Sequence, residues 1–164
     1  MTTWKKGSIE GVVVKKLVKH LDERGFLCET IRLDELPENL KPAMSYVSYT
    51  EPGISRGPHE HVYQTDIFAF LGPGNFRVKL WDNRKRSSTF GHCLTVYAGK
   101  DNPITLIVPP GVVHGYENIS RSERGMVINY PDRLYMGWNK QEEIDEIRHE
   151  AQENSPFRMG DELR

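Results

Sequence analysis

Two histidines that stand two residues apart are the first candidates for chemistry. His59 and His61 lie in the stretch RGPHEHVYQ (56–64). If this segment is a strand, both imidazoles point to the same face and enter one cavity. A neutral imidazole binds Zn, Fe, Mn, Ni or Cu, and it also acts as a general base near neutral pH. The pair therefore indicates either a metal site, with Gln64 or Asp66 adding an oxygen, or a base and a substrate contact in a pocket.

A second candidate lies in PPGVVHGYEN (109–118). Pro109 and Gly111 predict a rigid turn, because proline presets φ and glycine accepts positive φ. His114 follows the turn closely, at the start of a predicted strand, and is expected to point inward. The two motifs together predict three histidines around one cavity.

Short apolar or alternating runs must position these side chains. They recur along the chain at 12–18, 26–33, 43–50, 65–71, 76–82, 93–99, 104–110 and 125–130, separated by Gly, Pro, Asn and Asp clusters. Many short strands at this spacing predict an antiparallel sandwich or barrel. One helix is predicted at 139–152, where Ile144, Ile147 and Ala151 share a face and Asn139 is a candidate N-cap.

The length and net charge of the chain limit the classes of function that it could have. The chain has 164 residues, enough for the single domain expected over 1–164, and a formal net charge of −1. Nothing in charge or motif favours binding to nucleic acid or to an anionic membrane. No apolar run is long enough to span a bilayer, and the N-terminus lacks the apolar core of a secretory signal. Two cysteines, Cys28 and Cys93, fit a reducing compartment, so a soluble cytoplasmic protein is expected.

The spacing of both motifs resembles the two signatures of the cupin superfamily. The first reads G-x5-H-x-H-x4-D from Gly53 to Asp66, and the second reads P-x-G-x2-H-x3-N from Pro109 to Asn118. The first departs from the pattern at Asp66, where cupins usually have Glu. The resemblance implies an all-β jelly-roll barrel whose mouth holds the active site. In metal-binding cupins the matching ligands are His59, His61, Asp66 and His114.

More of the chain, roughly residues 20–130, resembles one cupin branch, the dTDP-4-dehydrorhamnose 3,5-epimerases. The matching blocks, in the family's order, are DERGFLCE (22–29), GISRGPH (53–59), D-x-R-x2-S-x-TFG (82–91) and IVPPGVVHGYENIS (107–120). These enzymes remove a proton beside a 4-ketone and return it to the opposite face of the sugar. No cofactor is implied, and a nucleotide-diphosphate sugar is the implied ligand.

The resemblance also implies roles for individual residues. His59 matches the base, and His61 falls in the substrate pocket. The other implied substrate contacts are Arg24, Phe26, Glu29, Arg56 and His114. Since a neighbouring subunit grips the nucleotide end in this family, a homodimer is implied, with the N-terminal strands at 9–33 in its contact.

Three departures from the family pattern leave the mechanism open. His61 replaces a glutamine, and the next stretch, 62–70, has no lysine, so the enolate would rely on Arg56, a histidine or a metal. The acid tyrosine aligns with Val127 or Ile128, and Tyr130 or Tyr135 could substitute for it. Tyr135 could instead stack on the sugar. The C-terminal Asp that orients the base has no counterpart, which leaves Asp82 as a candidate orienter.

Three functions follow from these patterns. The first is an epimerase or isomerase acting on a nucleotide-linked 4-keto sugar, at one carbon or at two. The second is a metal-dependent cupin in which a divalent ion polarises the ketone in place of the missing lysine. The third is a sugar-binding module without turnover.

Overall fold

Two facing β-sheets make up the protein, as the computed structural model shows for residues 4–160. The strands are β1 (Lys5–Lys6), β2 (Val13–Lys16), β3 (His20–Asp22), β4 (Gly25–Leu27), β5 (Tyr46–Thr50), β6 (Ser55–Glu60), β7 (Asp66–Phe70), β8 (Asn75–Asp82), β9 (His92–Gly99), β10 (Ile104–Val108), β11 (Val112–Asn118), β12 (Gly125–Asn129) and β13 (Ile147–Arg148). Two short 3₁₀ turns, Leu33–Glu35 and Trp138–Lys140, are the helical elements of the described residues.

The strand order is that of a jelly roll. One sheet runs β1-β9-β8-β11-β6-β13, the other runs β2-β10-β7-β12-β5, and β3 pairs with β4 in a separate hairpin. Within the two sheets, neighbouring strands are antiparallel except β1 and β9. The all-β cupin prediction is therefore confirmed.

The core between the sheets is aromatic and aliphatic. Alternate residues of β8 (Phe76, Val78 and Leu80) meet Phe68 and Phe70 of β7, and all five are at most 3% exposed. This alternation follows from the two-residue period of a strand. Burying this apolar surface supplies the main force that holds the sheets together.

The outer faces of both sheets are also covered. Leu40, in the segment before β5, packs on Ile67 and Ile107 of the five-stranded sheet. On the six-stranded sheet, Phe157 and Met159 of the C-terminal tail pack against buried side chains that include Trp81. Because each sheet is covered on both sides, its central strands are apolar throughout, as in the DIFAF run of β7.

The predicted helix at 139–152 was wrong. Asn139 and Lys140 adopt positive φ of 55° and 59°, which no right-handed helix accommodates. Further along, Ile147 and Arg148 pair with Glu60 and His59 of β6. A helix of this length is marginal without tertiary packing, and here pairing with the edge of the sheet satisfies the backbone instead.

Two other predictions concern the length of the strand at 26–33 and the absence of a membrane-spanning segment. The strand predicted at 26–33 is confined to Gly25–Leu27, and the rest of that run crosses to the turn at Leu33–Glu35. Among residues 4–160, no helix has the length and hydropathy needed to cross a bilayer.

Removing the Phe157 ring tests how strongly the C-terminal tail holds to the barrel. Phe157 is 5% exposed and contacts the rings of Trp4, Trp81 and His149. Phe157→Ala should lower the free energy of unfolding by about 3–5 kcal/mol, because a buried aromatic leaves a cavity. Urea denaturation measures the loss. The matched control Phe90→Ala, at a ring that is 49% exposed, should change stability by less than about 0.5 kcal/mol. Equal effects of the two variants would mean that the tail is not part of the core.

Candidate functional site

An open cavity of about 1690 Å³ lies between β5, β6 and the segment 131–150. Five of the candidate site residues from the sequence line it: Arg56, His59, His61, Gln64 and Tyr135. His114 and Asp66 are buried behind these two histidines: His114 contacts the ring of His59, and Asp66 contacts that of His61. The structure thus brings both sequence motifs to a single site.

The pairing of β6 with β11 sets the positions of the histidines. His114 lies opposite His59 in the ladder, and their ring centroids are 4.6 Å apart. The register shifts by one residue before Tyr116 pairs with Arg56, which marks a bulge in β6. Gly57 occupies the bulge with φ of +78°, and a Cβ there would lie 2.6 Å from the carbonyl oxygen of His114. Only glycine permits this close approach, so the RG-x-H motif has a structural reason as well as a chemical one.

The carboxylate of Asp66 is the centre of the buried part of the site. Its Oδ1 accepts hydrogen bonds from Gln64 Nε2 at 2.9 Å and Asn129 Nδ2 at 2.8 Å. Its Oδ2 lies 3.1 Å from Nε2 of His61 and 3.1 Å from Nε2 of His114. A carboxylate with 1% exposure needs such partners, because burying an uncompensated charge is strongly unfavourable.

The buried carboxylate and the imidazoles shift one another's pKa values. Burial alone would raise the pKa of Asp66, but its contacts with His114 and His61 outweigh this and hold that pKa far below its usual range. Burial opposes the charged form of His61, yet Asp66 and the Asp145 carbonyl raise the pKa of His61 to about 9. Burial and the positive charges of the neighbouring histidines lower the pKa of His59 to about 2. His59 is therefore neutral at neutral pH.

The segment that replaces the predicted helix closes one side of the cavity. The carboxylate of Asp145 accepts hydrogen bonds from the backbone N–H groups of residues 62, 63 and 64 at 2.8–2.9 Å. The carbonyl oxygen of Asp145 contacts Nδ1 of His61. One residue thus holds the loop after β6 and fixes the orientation of an imidazole.

Glu146 takes the place predicted for Asp82. Its Oε1 lies 3.7 Å from Nδ1 of His59, and the Glu146 side chain is 16% exposed. Asp82, by contrast, accepts hydrogen bonds from Arg84, Ser87 and Thr89 in the loop after β8, away from the cavity. The prediction of Asp82 as the orienter of His59 was wrong, since its oxygens are committed to this loop. In the sequence, Glu146 stands in the acidic run EEIDE, which was interpreted as the first turns of a helix and not as part of a site.

Tyr130 also lies away from the cavity, which argues against its predicted role as acid. Side chains of β12 alternate between the two faces, so Val127 points into the core and Tyr130, just past the strand, points to the outer face. Its hydroxyl is 2.9 Å from Thr30 Oγ1, and its ring packs on the cluster of Leu40 and Ile67.

Two tyrosines that the motifs do not mark have hydroxyls in the cavity. Tyr46 OH accepts a hydrogen bond from Asn129 Nδ2 at 2.9 Å, and Tyr116 OH lies 3.1 Å from Ser48 Oγ. Burial raises the pKa of Tyr46 to about 12, so its hydroxyl keeps its proton at neutral pH. Tyr46 and Ser48 alternate along YVSYT, and this two-residue period was the available sequence signal.

Three residues predicted to contact the nucleotide do not line this cavity: Arg24, Phe26 and Glu29. Phe26 is 49% exposed on the β3–β4 hairpin, under the ammonium group of Lys19. Arg24 pairs with Asp22, and Glu29 pairs with Arg32.

Exchanging Asp145 for Ala tests the anchoring of the loop after β6. Loss of three charge-assisted hydrogen bonds should lower the free energy of unfolding by at least ~2 kcal/mol. Hydrogen exchange of the amides at residues 62–64 should also accelerate relative to the amides of β6. Glu143→Ala, an exposed acid two residues earlier in the same segment, is the control. Unchanged exchange at 62–64 in the Asp145 variant would contradict the anchoring.

Comparison with known proteins identifies relatives of the chain. The model of the family described as dTDP-4-dehydrorhamnose 3,5-epimerase matches residues 6–143. The spore coat polysaccharide biosynthesis protein SpsL of Bacillus subtilis (strain 168) is 45% identical over 109 residues, which cover 66% of this chain and 70% of SpsL. The probable low-salt glycan biosynthesis epimerase Agl13 of Haloferax volcanii is 36% identical over 129 residues, which cover 78% and 81% of the two chains.

The fold comparison agrees with the sequence comparison. A crystal structure of a dTDP sugar isomerase from Desulfovibrio desulfuricans G20 superposes with a TM-score of 0.77 at 26% identity. The match covers 94% of this chain and 95% of that chain.

Proposed function

The chain belongs to the dTDP-4-dehydrorhamnose 3,5-epimerase family, and we propose that it epimerises a 4-keto sugar linked to a nucleoside diphosphate by base and acid groups on facing sheets. The observation that carries this proposal is the position of His59 on the six-stranded sheet and Tyr46 on the five-stranded sheet, both lining one cavity. The relatives SpsL and Agl13 are named for polysaccharide and glycan biosynthesis, which supports a product destined for a polysaccharide.

His59 is the proposed base. It removes the proton from the carbon beside the ketone, and the electron pair of that C–H bond moves to the ketone oxygen to form an enolate. Glu146 near Nδ1 stabilises the imidazolium that results and leaves Nε2 to take the proton. Glu146 is a positioning residue in this scheme, since it acts through His59.

Tyr46 is the proposed acid. Inversion requires that the proton return to the face of the sugar opposite the base. A donor on the facing sheet meets this requirement, whereas Tyr116 lies on β11, beside β6 in the same sheet as His59. A phenol that keeps its proton at neutral pH can donate to the enolate carbon, and Asn129 holds the Tyr46 hydroxyl in place.

The two negatively charged parts of the bound substrate occupy different parts of the cavity: the diphosphate lies at the mouth and the enolate oxygen lies deeper. Arg56 lies at the exposed mouth, where Nε donates to Thr50 Oγ1 at 3.0 Å and Nη2 donates to the carbonyl oxygen of Tyr49 at 2.8 Å. A guanidinium held in this way suits a diphosphate. Tyr135, 49% exposed on the lining, is placed to stack on the sugar. The enolate oxygen then faces the buried group of His61, His114 and Asp66.

Substitution of the two proton-transfer residues tests the reaction. In D₂O the wild-type protein should place deuterium at C3 or C5 of a 4-keto nucleotide sugar, as read by NMR. His59→Gln should slow this exchange by about 10²–10⁴, the usual contribution of a general base. Tyr46→Phe should slow formation of the inverted sugar by a similar ~10²-fold or more while solvent exchange at the same carbon continues.

Tyr130→Phe is the matched control for the proposed acid. Its hydroxyl is on the outer face, so both exchange and inversion should match the wild type. Tight binding of nucleotide sugars without exchange in the wild-type protein would contradict the proposal and leave a binding module instead.

We propose in addition that the protein acts as a homodimer. Apolar side chains are exposed on both edge strands of the five-stranded sheet and on the β3–β4 hairpin, among them Val13 (45%), Val47 (56%) and Leu27 (65%). The exposed apolar residues of β2 and of the hairpin, which follow one another in the chain, mark the proposed interaction surface. A hairpin that reaches the partner's cavity would bring Arg24 and Phe26 to the nucleotide, which supports their proposed roles and that of Glu29.

Light scattering after size exclusion tests the dimer. The wild-type protein should show twice the mass of the chain, and Leu27→Glu should shift it toward the monomer because a buried charge without a partner opposes association. Ile119→Glu, at an exposed apolar residue just after β11, is the control and should remain dimeric. Arg24→Ala should weaken binding of a nucleoside diphosphate by about tenfold if the hairpin completes the partner's site. A monomeric wild-type protein would contradict the proposal.

A further inference from the structure

The short strand β13 carries an arginine into the cavity beside the proposed base. Arg148 is paired directly with His59 in the ladder between β13 and β6. Residues that lie opposite each other in antiparallel strands point to the same face of the sheet. Arg148 and His59 accordingly both line the cavity, whereas the neighbouring pair, Ile147 and Glu60, does not. A cation therefore stands on the strand next to the group that removes the proton.

Most of the hydrogen-bonding capacity of Arg148 is available to a ligand. Its Nε donates to Glu146 Oε2 at 2.7 Å, and its two Nη groups have no hydrogen-bond partner in the described part of the chain. The Arg148 side chain is 61% exposed and that of His59 is 15% exposed, so the guanidinium lies nearer to the mouth of the cavity. Arg56 already uses Nε and Nη2 in hydrogen bonds within the protein. Of these two arginines, Arg148 retains more donors for an anion.

The carboxylate of Glu146 lies between this arginine and His59. Its Oε2 accepts the hydrogen bond from Arg148, and its Oε1 is 3.7 Å from Nδ1 of His59. A separation of 3.7 Å is too long for a hydrogen bond, so Glu146 is bonded to the arginine and only approaches the imidazole. To orient His59 and stabilise its imidazolium, the carboxylate must move closer to Nδ1.

An anion that binds Arg148 can release Glu146 from it. An ion pair with a solvent-exposed arginine contributes little to stability, because water competes for the charges. A diphosphate carries more than one negative charge and several acceptor oxygens, and it binds a guanidinium through paired, charge-assisted hydrogen bonds. It therefore competes effectively with one carboxylate oxygen for Arg148. The released carboxylate of Glu146 then has the imidazole of His59 beside it.

We propose that Arg148 binds the diphosphate of the substrate and thereby releases Glu146 to orient His59. Arg148 is then a second diphosphate contact beside Arg56, and it acts on the base as a positioning residue. The effect on the base rests on the proposed epimerisation, whereas the contact between Arg148 and a diphosphate does not depend on turnover. A sugar without a diphosphate would meet an imidazole that Glu146 does not hold, so the cavity selects nucleotide-linked sugars by orienting the base as well as by affinity.

Titration calorimetry with the diphosphates of thymidine, uridine, guanosine and cytidine tests the contact. Against the diphosphate that the wild-type protein binds most tightly, Arg148→Gln should lose about tenfold in affinity. Arg148→Lys should recover part of the loss, because an ammonium group keeps the charge but not the fork. Arg124→Gln is the matched control, since Arg124 is 67% exposed and pairs with Glu51 at 2.8 Å outside the cavity lining. Equal affinity of Arg148→Gln and the wild type, or no binding of any diphosphate, would overturn the inference.

Nitrogen and proton NMR of protein with isotope-labelled histidine tests the release of Glu146. The His59 signals, identified by their absence from His59→Gln, report which ring nitrogen carries the hydrogen and whether it is hydrogen-bonded. The diphosphate should shift the Nδ1–H proton of His59 downfield in the wild type, as the bond to Glu146 forms. Arg148→Gln should show this signal before any ligand is added, and Glu146→Ala should not show it with ligand. His59 signals that stay unchanged when the wild type binds a diphosphate would overturn the release.

The same measurements distinguish this inference from the proposed function. If the wild type exchanges solvent deuterium into a 4-keto nucleotide sugar but Arg148→Gln binds the diphosphate equally well, the inference fails and the proposed epimerisation stands. If the wild type binds a diphosphate through Arg148 but catalyses no exchange, the proposed function fails and the contact stands. Circular dichroism of each variant excludes unfolding as the cause of weakened binding.

Discussion

The ionised carboxylate of Asp66, almost fully removed from water, is the constraint on which the site depends. A buried charge must be compensated, and here the compensation comes from four side chains on three separate parts of the fold, the loop between β6 and β7, β11 and β12. Gln64 precedes β7, Asn129 comes from β12, His61 follows β6 and His114 lies on β11. Through Asn129 the same network holds the hydroxyl of Tyr46. One carboxylate therefore connects both sheets to the cavity.

A second constraint acts from the other side of the histidines. The segment after Lys140 does not form an independent element but follows the edge of β6, where Asp145 satisfies three backbone donors and Glu146 approaches His59. The edge of a sheet presents unpaired backbone groups, and short pairing by β13 covers part of them. The residues that close the cavity and those that orient its imidazoles are thus neighbours in the chain.

The groups proposed to bind the diphosphate and the groups proposed to transfer protons lie in different parts of the cavity. Arg56 is exposed at the mouth, where a diphosphate would remain partly hydrated. The imidazoles lie deeper, where electrostatic interactions are stronger because the effective dielectric constant is lower. The pKa shifts of His59 and Tyr46 keep both groups neutral, so that His59 retains a lone pair and Tyr46 its proton, and they also make His59 a weaker base and Tyr46 a weaker acid than the free side chains. This arrangement suits chemistry at a carbon between the two sheets, with the substrate's phosphates held away from it.

The local sequence pattern alone predicted those features of the protein that depend on short-range periodicity. Strand alternation and turn residues predicted an all-β barrel, and the spacing of His59, His61 and His114 predicted one shared cavity, because a strand turns residues two apart to the same face. Tertiary structure decided the rest. Asn139 to Gln152 reads as a helix, yet contacts with β6, far away in sequence, make it an extended strap that supplies Glu146. Tyr130 and Tyr46 carry the same phenol, and the face of the five-stranded sheet to which each side chain points places the Tyr130 hydroxyl on the outer face and the Tyr46 hydroxyl in the cavity. Convergence of His61, His114 and Asp66 on one point depends on distances across three strands, which no sequence spacing determines.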